Sequence, residues 1–304
     1  MQLGGVIALV LASLLWGTTG TTASFLPNDV SPLAIGASTM GIGGLLLFAA
    51  TVRPATAVLR DRRSRRWVAI GAIGVFVYPL AFYAGMSLAG VAVGNVVALG
   101  SGPVFAALLE WLVERRPLSR RWIIATAVAV AGIVLLTVGK VPDAGAGTRD
   151  TLVGAGLALL AGLAYALYTY ASSRALRAPD GYLVPHSNGV MGAMFGLGAV
   201  LLLPVLIVTG APLLQSWGTV GIAAYLALGP MFVAYLLFGV GLRSIRSSSV
   251  TTITLLEPVV ATVLAVLVVG ERLGWIGWVG LGLVLAGLAV LITARRSSKL
   301  GERL

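Results

Sequence analysis

The 304-residue chain contains no cysteine and a single histidine, and charged residues make up only 10% of it. Without cysteine there are no disulfides, thiolate metal sites, iron–sulfur clusters or catalytic thiols. A soluble globular protein carries about 25% charged residues, so this chain has too few to cover a water-facing surface. It also has no Gly-x-x-x-x-Gly-Lys-Ser/Thr phosphate-binding loop, and we therefore expect neither a bound nucleotide nor another cofactor.

Apolar sequence is abundant instead, with 58% hydrophobic residues and a mean hydropathy of +1.00. This excludes intrinsic disorder and, together with the scarcity of charge, a soluble enzyme. A membrane-spanning helix needs about 20 mainly apolar residues. Ten segments meet that requirement and are numbered here as spans 1 to 10: 3–26, 32–52, 67–87, 92–113, 120–138, 151–173, 186–208, 218–241, 247–269 and 274–294. The breaks near 88–91 and 270–273 depend on glycines within almost continuous apolar sequence.

The positions of the basic residues predict how the spans are oriented. With a cytoplasmic N-terminus, 18 of the 21 Lys and Arg fall in cytoplasmic segments, and the other side holds only Lys140, Arg149 and Arg272. Short cytoplasmic loops are enriched in Lys and Arg. We therefore expect the cytoplasmic (inner) membrane of a bacterium, with both termini cytoplasmic. The net charge of +11 is then a topology signal with some affinity for membrane lipid, and nucleic acid is not an expected partner.

The two halves of the chain repeat each other. At an offset of 155 residues Pro103 aligns with Pro258, and at an offset of 149 Trp16 aligns with Tyr165. The predicted units are spans 1–5 within residues 1–140 and spans 6–10 within residues 151–296, followed by a cytoplasmic tail at 297–304. Because each unit has five spans, the two copies cross the membrane in opposite senses. The predicted fold is an all-α integral membrane protein with ten transmembrane helices, arranged as two inverted five-helix repeats.

Three short segments resemble those of a known family. Leu-Leu-Glu-Pro-Val-Val-Ala at 255–261, followed by Val-Val-Gly-Glu-Arg-Leu at 268–273, is similar to the end-of-repeat signature of EamA-type permeases in the drug/metabolite transporter superfamily. Leu15-Trp16-Gly17 is similar to that family's opening. The resemblance extends over nearly the whole chain and implies ten helices in two inverted units, with transport of small organic solutes, often outward. The first copy departs from the signature, because Arg-Arg-Pro-Leu at 115–118 replaces Gly-Glu-Arg-Leu.

Glu257 is the candidate for proton coupling, because it is the acidic residue predicted deep within a span, whereas Glu110 lies near the end of span 4. A carboxylate at bilayer depth costs about 2.5–3.5 kcal/mol on insertion scales, so it should face a cavity or a partner. Two interpretations remain open: Glu257 exchanges protons during transport, or it is a structural acid bonded to a hydroxyl such as that of Thr254. Pro258 and Pro103 kink their helices and are the predicted hinges.

Polar and aromatic residues at helical spacing predict the wall of a solute cavity, which would hold a small molecule by ring stacking and a few hydrogen bonds. The alternative for each aromatic residue is helix packing or a place at the membrane interface. The candidate cavity residues are Trp16, Thr19, Tyr78, Asn95, Tyr165, Tyr168, Phe232, Tyr235 and Thr254.

The sequence thus predicts a secondary active or facilitative transporter of an amino acid, metabolite or drug-like compound, exporting it by alternating access, with proton coupling through Glu257 as an added hypothesis. One alternative is a channel or facilitator without alternating access. An intramembrane enzyme is a weaker alternative. A metal-dependent one needs clustered His, Asp or Glu, and no metal site is expected. Spans 5 and 10 are rich in small residues, so we expect them to pack closely or to form a homodimer.

Overall fold

Apolar runs separated by glycines and short polar segments divide the chain into helices. The computed structural model describes residues 2–115, 120–139, 147–176, 187–244, 253–254 and 256–301. In the first half the helices are α1 Gln2–Gly17, α2 Thr19–Ala23, α3 Pro32–Ala50, α4 Val52–Arg60, α5 Arg62–Ala89, α6 Val91–Glu114 and α7 Arg120–Val138. In the second half they are α8 Thr148–Ala175, α9 Ser187–Thr209, α10 Trp217–Leu226, α11 Ala234–Ser244, α12 Leu256–Leu264 and α13 Trp275–Gly301.

The predicted spans appear as helices. Seven are long and apolar enough to cross a membrane: Leu3–Ala23, Pro32–Ala50, Arg62–Ala89, Val91–Glu114, Thr148–Ala175, Asn188–Thr209 and Trp217–Gly241. Three shorter apolar helices, Ile123–Val138, Leu256–Val269 and Trp275–Gly287, stand where spans 5, 9 and 10 were expected. The all-helical, ten-span fold is therefore confirmed. The predicted start of span 9, at 247–252, lies outside the described residues.

Two glycines make the breaks between adjacent spans. Gly90 ends α5 with φ 89°, and Gly270 ends the helix of span 9 with φ 82°. Backbone conformations with positive φ are open to glycine because it has no Cβ. The predicted breaks near 88–91 and 270–273 are therefore confirmed, and both lie on the side of the bundle opposite the chain termini. We call these two sides the opposite side and the terminal side.

Three irregularities interrupt the spans in ways that the hydropathy does not indicate. Span 1 breaks at Thr18, between α1 and α2, where the threonine hydroxyl donates to the Leu15 carbonyl at 2.7 Å. A π-helical segment, Ala227–Val233, joins α10 to α11 and contains Pro230. A second one, Ala265–Val269, continues α12. Such π-helical turns are frequent at functional sites.

Contacts between the halves follow the symmetry of an inverted repeat. Span 3 (α5) packs against span 6 (α8), and span 1 (α1) packs against span 8 (α11). Exchanging the two repeats converts the first of these pairs into the second. Spans 2 and 7 (α3, α9), 4 and 9 (α6, α12), and 5 and 10 (α7, α13) each pack against their own equivalents. This pattern is what a two-fold axis in the membrane plane produces.

The α7–α13 pair is held by close backbone approach. The Gly274 N–H donates to the Gly139 carbonyl at 2.9 Å. A Cβ added at Gly132 would stand 2.7 Å from the Gly280 carbonyl oxygen, so the helices touch through their backbones. The small residues of spans 5 and 10 thus pack against each other within one chain. A homodimer through these spans stays a prediction, as do the domain boundaries at 140, 151 and 296.

Candidate functional site

Aromatic rings from five spans contact one another between the two repeats, and we call them the aromatic cluster. Tyr235 is central, with ring centroids 4.9 Å from Phe195 and 5.4 Å from Trp16. On its other side Tyr168 lies 5.6 Å from Phe195 and 5.1 Å from Tyr165. The members of the aromatic cluster are Trp16, Tyr78, Phe82, Tyr165, Tyr168, Phe195, Tyr235 and Phe238.

The aromatic cluster joins the repeats in a symmetric way. Trp16 of span 1 contacts Tyr235 and Phe238 of span 8. Its counterpart Tyr165, in span 6, contacts Tyr78 of span 3 at 6.0 Å. Each pairing combines one residue of the first repeat with residues of the second. A movement of one repeat against the other must therefore change these ring contacts.

Glu257 acts on the aromatic cluster from α12. Its carboxyl group lies within electrostatic range of Tyr78, Tyr165 and Tyr235, which come from three different spans. The side chain is partly buried, and the helix continues for 12 residues to Val269, or about 18 Å at 1.5 Å per residue. The carboxylate and the tyrosines together form the candidate site.

The hydroxyl groups add hydrogen-bonding capacity to the aromatic faces. The Tyr168 and Tyr235 hydroxyls are 3.3 Å apart. The Tyr83 hydroxyl lies 3.3 Å from that of Thr39, beside Phe82. Tyrosine presents both an apolar body and a polar end, so this surface can hold an amphipathic solute.

Four predicted cavity residues lie away from these ring contacts. Phe232 stands in the first π-helical segment and packs against the core around Phe195. Thr19 is buried in α2, and Thr254 is partly buried just before α12. Asn95 is fully buried in α6, and neither of its amide atoms has a hydrogen-bond partner among the described residues. Burying an unpaired amide costs about 1–3 kcal/mol on mutational scales. The described contacts of Asn95 include no hydrogen bond that offsets this cost.

The two predicted hinge prolines occupy different environments. Pro103 lies within α6, next to Gly102, and a Cβ added at that glycine would stand 2.9 Å from the Tyr165 ring. Pro258 is buried, and its carbonyl accepts a hydrogen bond from the Thr262 hydroxyl at 2.8 Å. Both prolines therefore adjoin the candidate site, Pro103 through Tyr165 and Pro258 through its neighbour Glu257. Their role as hinges stays a prediction.

Glu271 is a structural feature that sequence reasoning missed. Its buried carboxylate accepts hydrogen bonds from the Val91 N–H and from the Ala92 N–H, the latter at 3.1 Å. It thus caps the N-terminus of α6 across the boundary between the repeats, on the opposite side. The Gly-Glu-Arg-Leu segment was the sequence signal for Glu271. The sequence did not reveal its hydrogen-bond partner, because the Val91 backbone lies 180 residues away.

Phe82, Phe195 and Phe238 are also missing from the predicted site. Phe195 is fully buried in α9 and links Tyr168 to Tyr235. In the sequence of an apolar helix, a phenylalanine that lines a site looks the same as one that only packs against other helices. Phe238 carried a weak signal, because it aligns with Tyr83 in the repeat. Among the residues that the structure describes, no three His, Asp or Glu side chains gather into a metal-binding group.

The helices define a multi-pass membrane protein, and comparison with known proteins identifies its family as one of small-solute transporters. The model of the EamA-like transporter family matches residues 3–138 and 152–293, one match in each half. The chain belongs to this family.

Several related proteins are similar over most of their length. An uncharacterized transporter of Bacillus subtilis (strain 168), YwfM, is 31% identical over 298 residues, covering 97% of this chain and 95% of that protein. The threonine/homoserine exporter RhtA of Escherichia coli (strain K12) is 27% identical over 238 residues, covering 74% of each. One solved crystal structure matches with a TM-score of 0.64 at 23% identity, covering 97% of this chain and 99% of that chain, which shows a shared fold.

Proposed function

We propose that this protein exports a small amino-group-containing solute, an amino acid or a related metabolite, by alternating access coupled to protons. The observation that carries the proposal is the position of Glu257 in α12, where its carboxyl group lies within electrostatic range of tyrosines of both repeats. The similarity to a threonine/homoserine exporter supports this solute class. In the proposed orientation the terminal side faces the cytoplasm, as the distribution of Lys and Arg favours.

The chemistry of the site suits a solute that carries an ammonium group. The ionised Glu257 carboxylate would pair with the ammonium, and the faces of Tyr78, Tyr165 and Tyr235 would stabilise the cation through their ring electrons. A proton and the ammonium would compete for one carboxylate. Exchange of the two then couples outward solute movement to inward proton movement, because Glu257 cannot hold both at once.

Contacts between the repeats on the opposite side supply the gate that this mechanism needs. Glu271 of the second repeat holds the α6 N-terminus of the first. The Thr18 hydroxyl, at the break in span 1, lies 2.7 Å from the Tyr225 hydroxyl of α10. Release of the solute on this side requires these bonds to break while the repeats rock.

Transport in proteoliposomes tests the proposal. Vesicles loaded with labelled threonine or homoserine should release it faster when the unlabelled compound is added outside, and an imposed inward proton gradient should accelerate export. Glu257→Gln should abolish the response to the proton gradient, because the amide cannot take up a proton. Glu110→Gln, which removes a carboxylate near the end of α6, is the matched control and should keep that response.

The possible results separate the mechanisms. Unsaturable flux without counterflow would indicate a channel and contradict alternating access. Saturable counterflow that ignores the proton gradient would keep the carrier and eliminate the coupling role of Glu257. A thermal-shift screen against amino acids, nucleosides and cationic drugs identifies the solute, since a ligand that binds the folded state raises its apparent stability.

A further inference from the structure

A basic cavity opens on the terminal side, between the start of α5 and the end of α8. Its volume is about 670 Å³. The first turns of α5 contribute Arg62, Arg63, Arg65 and Arg66, and the last turn of α8 contributes Arg174. Because α5 belongs to the first repeat and α8 to the second, the cavity bridges the two repeats at a distance from the aromatic cluster.

The wall of the cavity is held in place by its own contacts. The Arg174 guanidinium lies 5.2 Å from the centre of the Trp67 ring, and it donates to the Glu114 carboxylate at 3.2 Å. The Tyr170 hydroxyl donates to the same carboxylate at 3.2 Å, and the Tyr170 ring meets Trp67 edge-on at 6.0 Å. Contacts within the protein thus position Arg174 beside Trp67.

The charge of the site favours an anion. Five guanidinium groups line the cavity. Within the described part of the chain, the carboxylates next to its wall are Glu114, paired with Arg174, and Asp61, which caps α5 by accepting the Ser64 N–H at 2.8 Å. Two carboxylates cannot neutralise five guanidinium groups. A phosphate group supplies the missing negative charge, and guanidinium binds phosphate well through its planar set of donors.

An apolar strip leads from the cavity along α5 toward the middle of the bilayer. Ile70 lines the cavity and is 38% exposed, and Ile73, one turn further along, is 54% exposed. A free phosphate ion makes no use of such a strip. A phospholipid uses both parts, with its phosphate among the arginines and an acyl chain on the isoleucines.

We propose that this cavity is a binding site for an anionic phospholipid that joins α5 to α8 and so stabilises contact between the repeats on the terminal side. In the orientation proposed above, the site lies at the cytoplasmic leaflet, which is rich in anionic lipid. Basic pockets between transmembrane helices on that side bind phospholipid headgroups in general. The site depends on neither the solute nor the proton coupling.

Binding of short-chain phosphatidylglycerol to the purified full chain in neutral detergent, measured by native mass spectrometry, tests the site. We expect a saturable adduct with phosphatidylglycerol, and neither phosphatidylcholine nor inorganic phosphate at equal concentration should displace it. Removing each guanidinium should weaken binding about fivefold, in line with about 1 kcal/mol per basic residue at a membrane surface. The triple variant Arg62→Gln/Arg65→Gln/Arg66→Gln should therefore lose about a hundredfold.

The matched control is Arg53→Gln/Arg60→Gln/Arg120→Gln, which removes three exposed arginines elsewhere on the terminal side and should bind within twofold of wild type. Equal losses in both triple variants would overturn the site, because general electrostatic attraction would then explain the binding. Displacement by inorganic phosphate would overturn it in favour of an anion site. If the first triple variant does not fold, the single variants Arg62→Gln and Arg66→Gln decide, with a fivefold loss expected in each.

Discussion

Replacing Glu271 tests how strongly one side chain holds the two repeats together. Glu271 is only 6% exposed, and its carboxylate accepts hydrogen bonds from two backbone N–H groups at the start of α6. Hydrogen bonds to charged groups contribute about 1.5–3 kcal/mol each. Glu271→Gln keeps one oxygen acceptor, so it should lose about one such bond, or about 1.5–3 kcal/mol. Glu271→Ala leaves both buried donors unpaired, and we expect a loss of about 3–5 kcal/mol.

A second carboxylate provides the matched control. Asp150 lies in the first turn of α8, also on the opposite side, and accepts the Gly147 N–H at 3.4 Å, but it is exposed to solvent. Exposed charged contacts contribute at most about 1 kcal/mol. Asp150→Asn should therefore lower the unfolding temperature in detergent far less than Glu271→Gln does.

Labelling of a cysteine at Ala92 measures opening directly, because the wild-type chain has no cysteine. Ala92 is fully buried beside the Glu271 carboxylate, so Ala92→Cys should react slowly with a membrane-impermeant maleimide. If the lost hydrogen-bond energy of about 1.5–3 kcal/mol shifts the opening equilibrium, adding Glu271→Gln should increase the labelling rate by a factor between about 10 and about 100. Lower stability with unchanged labelling would show that Glu271 supports the fold but does not close the opposite side. Equal effects of Glu271→Gln and Asp150→Asn would refute the argument from burial.

Three further predictions concern local backbone geometry, each measured by thermal unfolding in detergent. Gly132→Ala should destabilise by about 1–3 kcal/mol, because its Cβ would stand 2.7 Å from a carbonyl oxygen of α13, whereas Gly282→Ala, with open space around it, should change stability by less than about 1 kcal/mol. Gly90→Ala should cost about 1–3 kcal/mol, because φ of 89° strains any residue with a Cβ. Asp61→Ala should cost about 1 kcal/mol at neutral pH. Hydrogen bonds from Ser64 lower the pKa of Asp61. The contribution of Asp61 to stability is therefore present above the unfolded-state pKa of about 4 and is lost as the pH falls below it. If Asp61→Ala were equally destabilising at pH 2, the capping role would be contradicted.

Hydropathy and glycine positions made much of the fold predictable. Long apolar runs have few alternatives to a membrane helix, and only a residue such as Gly90 or Gly270 could break two nearly fused runs with a positive φ. The same logic selected Glu257, because a carboxylate deep in a span needs a reason to be there. Each inference rests on one residue, either a carboxylate that is costly to bury in a membrane or a glycine with a wide range of backbone conformations.

The unpredicted features depend on contacts distant in sequence or on small differences in backbone energy. An α-helix and the π-helical segment Ala227–Val233 have the same apolar composition, so hydropathy does not distinguish them. The break at Thr18 follows a tryptophan and a glycine. Both residue types also occur inside the unbroken helix α6, so they do not predict the break. Phe195 and Glu271 acquire their roles from partners in other helices. One sequence shows the residue types but not these pairings.

The symmetry of the packing has a consequence for the conformation that the structure does not display. Span 3 packs against span 6 (α5 on α8) far more extensively than span 1 packs against span 8 (α1 on α11), although the inverted repeat makes the two pairs equivalent. If the repeats exchange conformations, the extensive interface moves to α1 and α11, and α5 separates from α8. The α7–α13 pair maps onto itself and stays packed. The inverted repeat thus supplies a template for the alternate state, obtained by threading each half of the chain onto the backbone of the other.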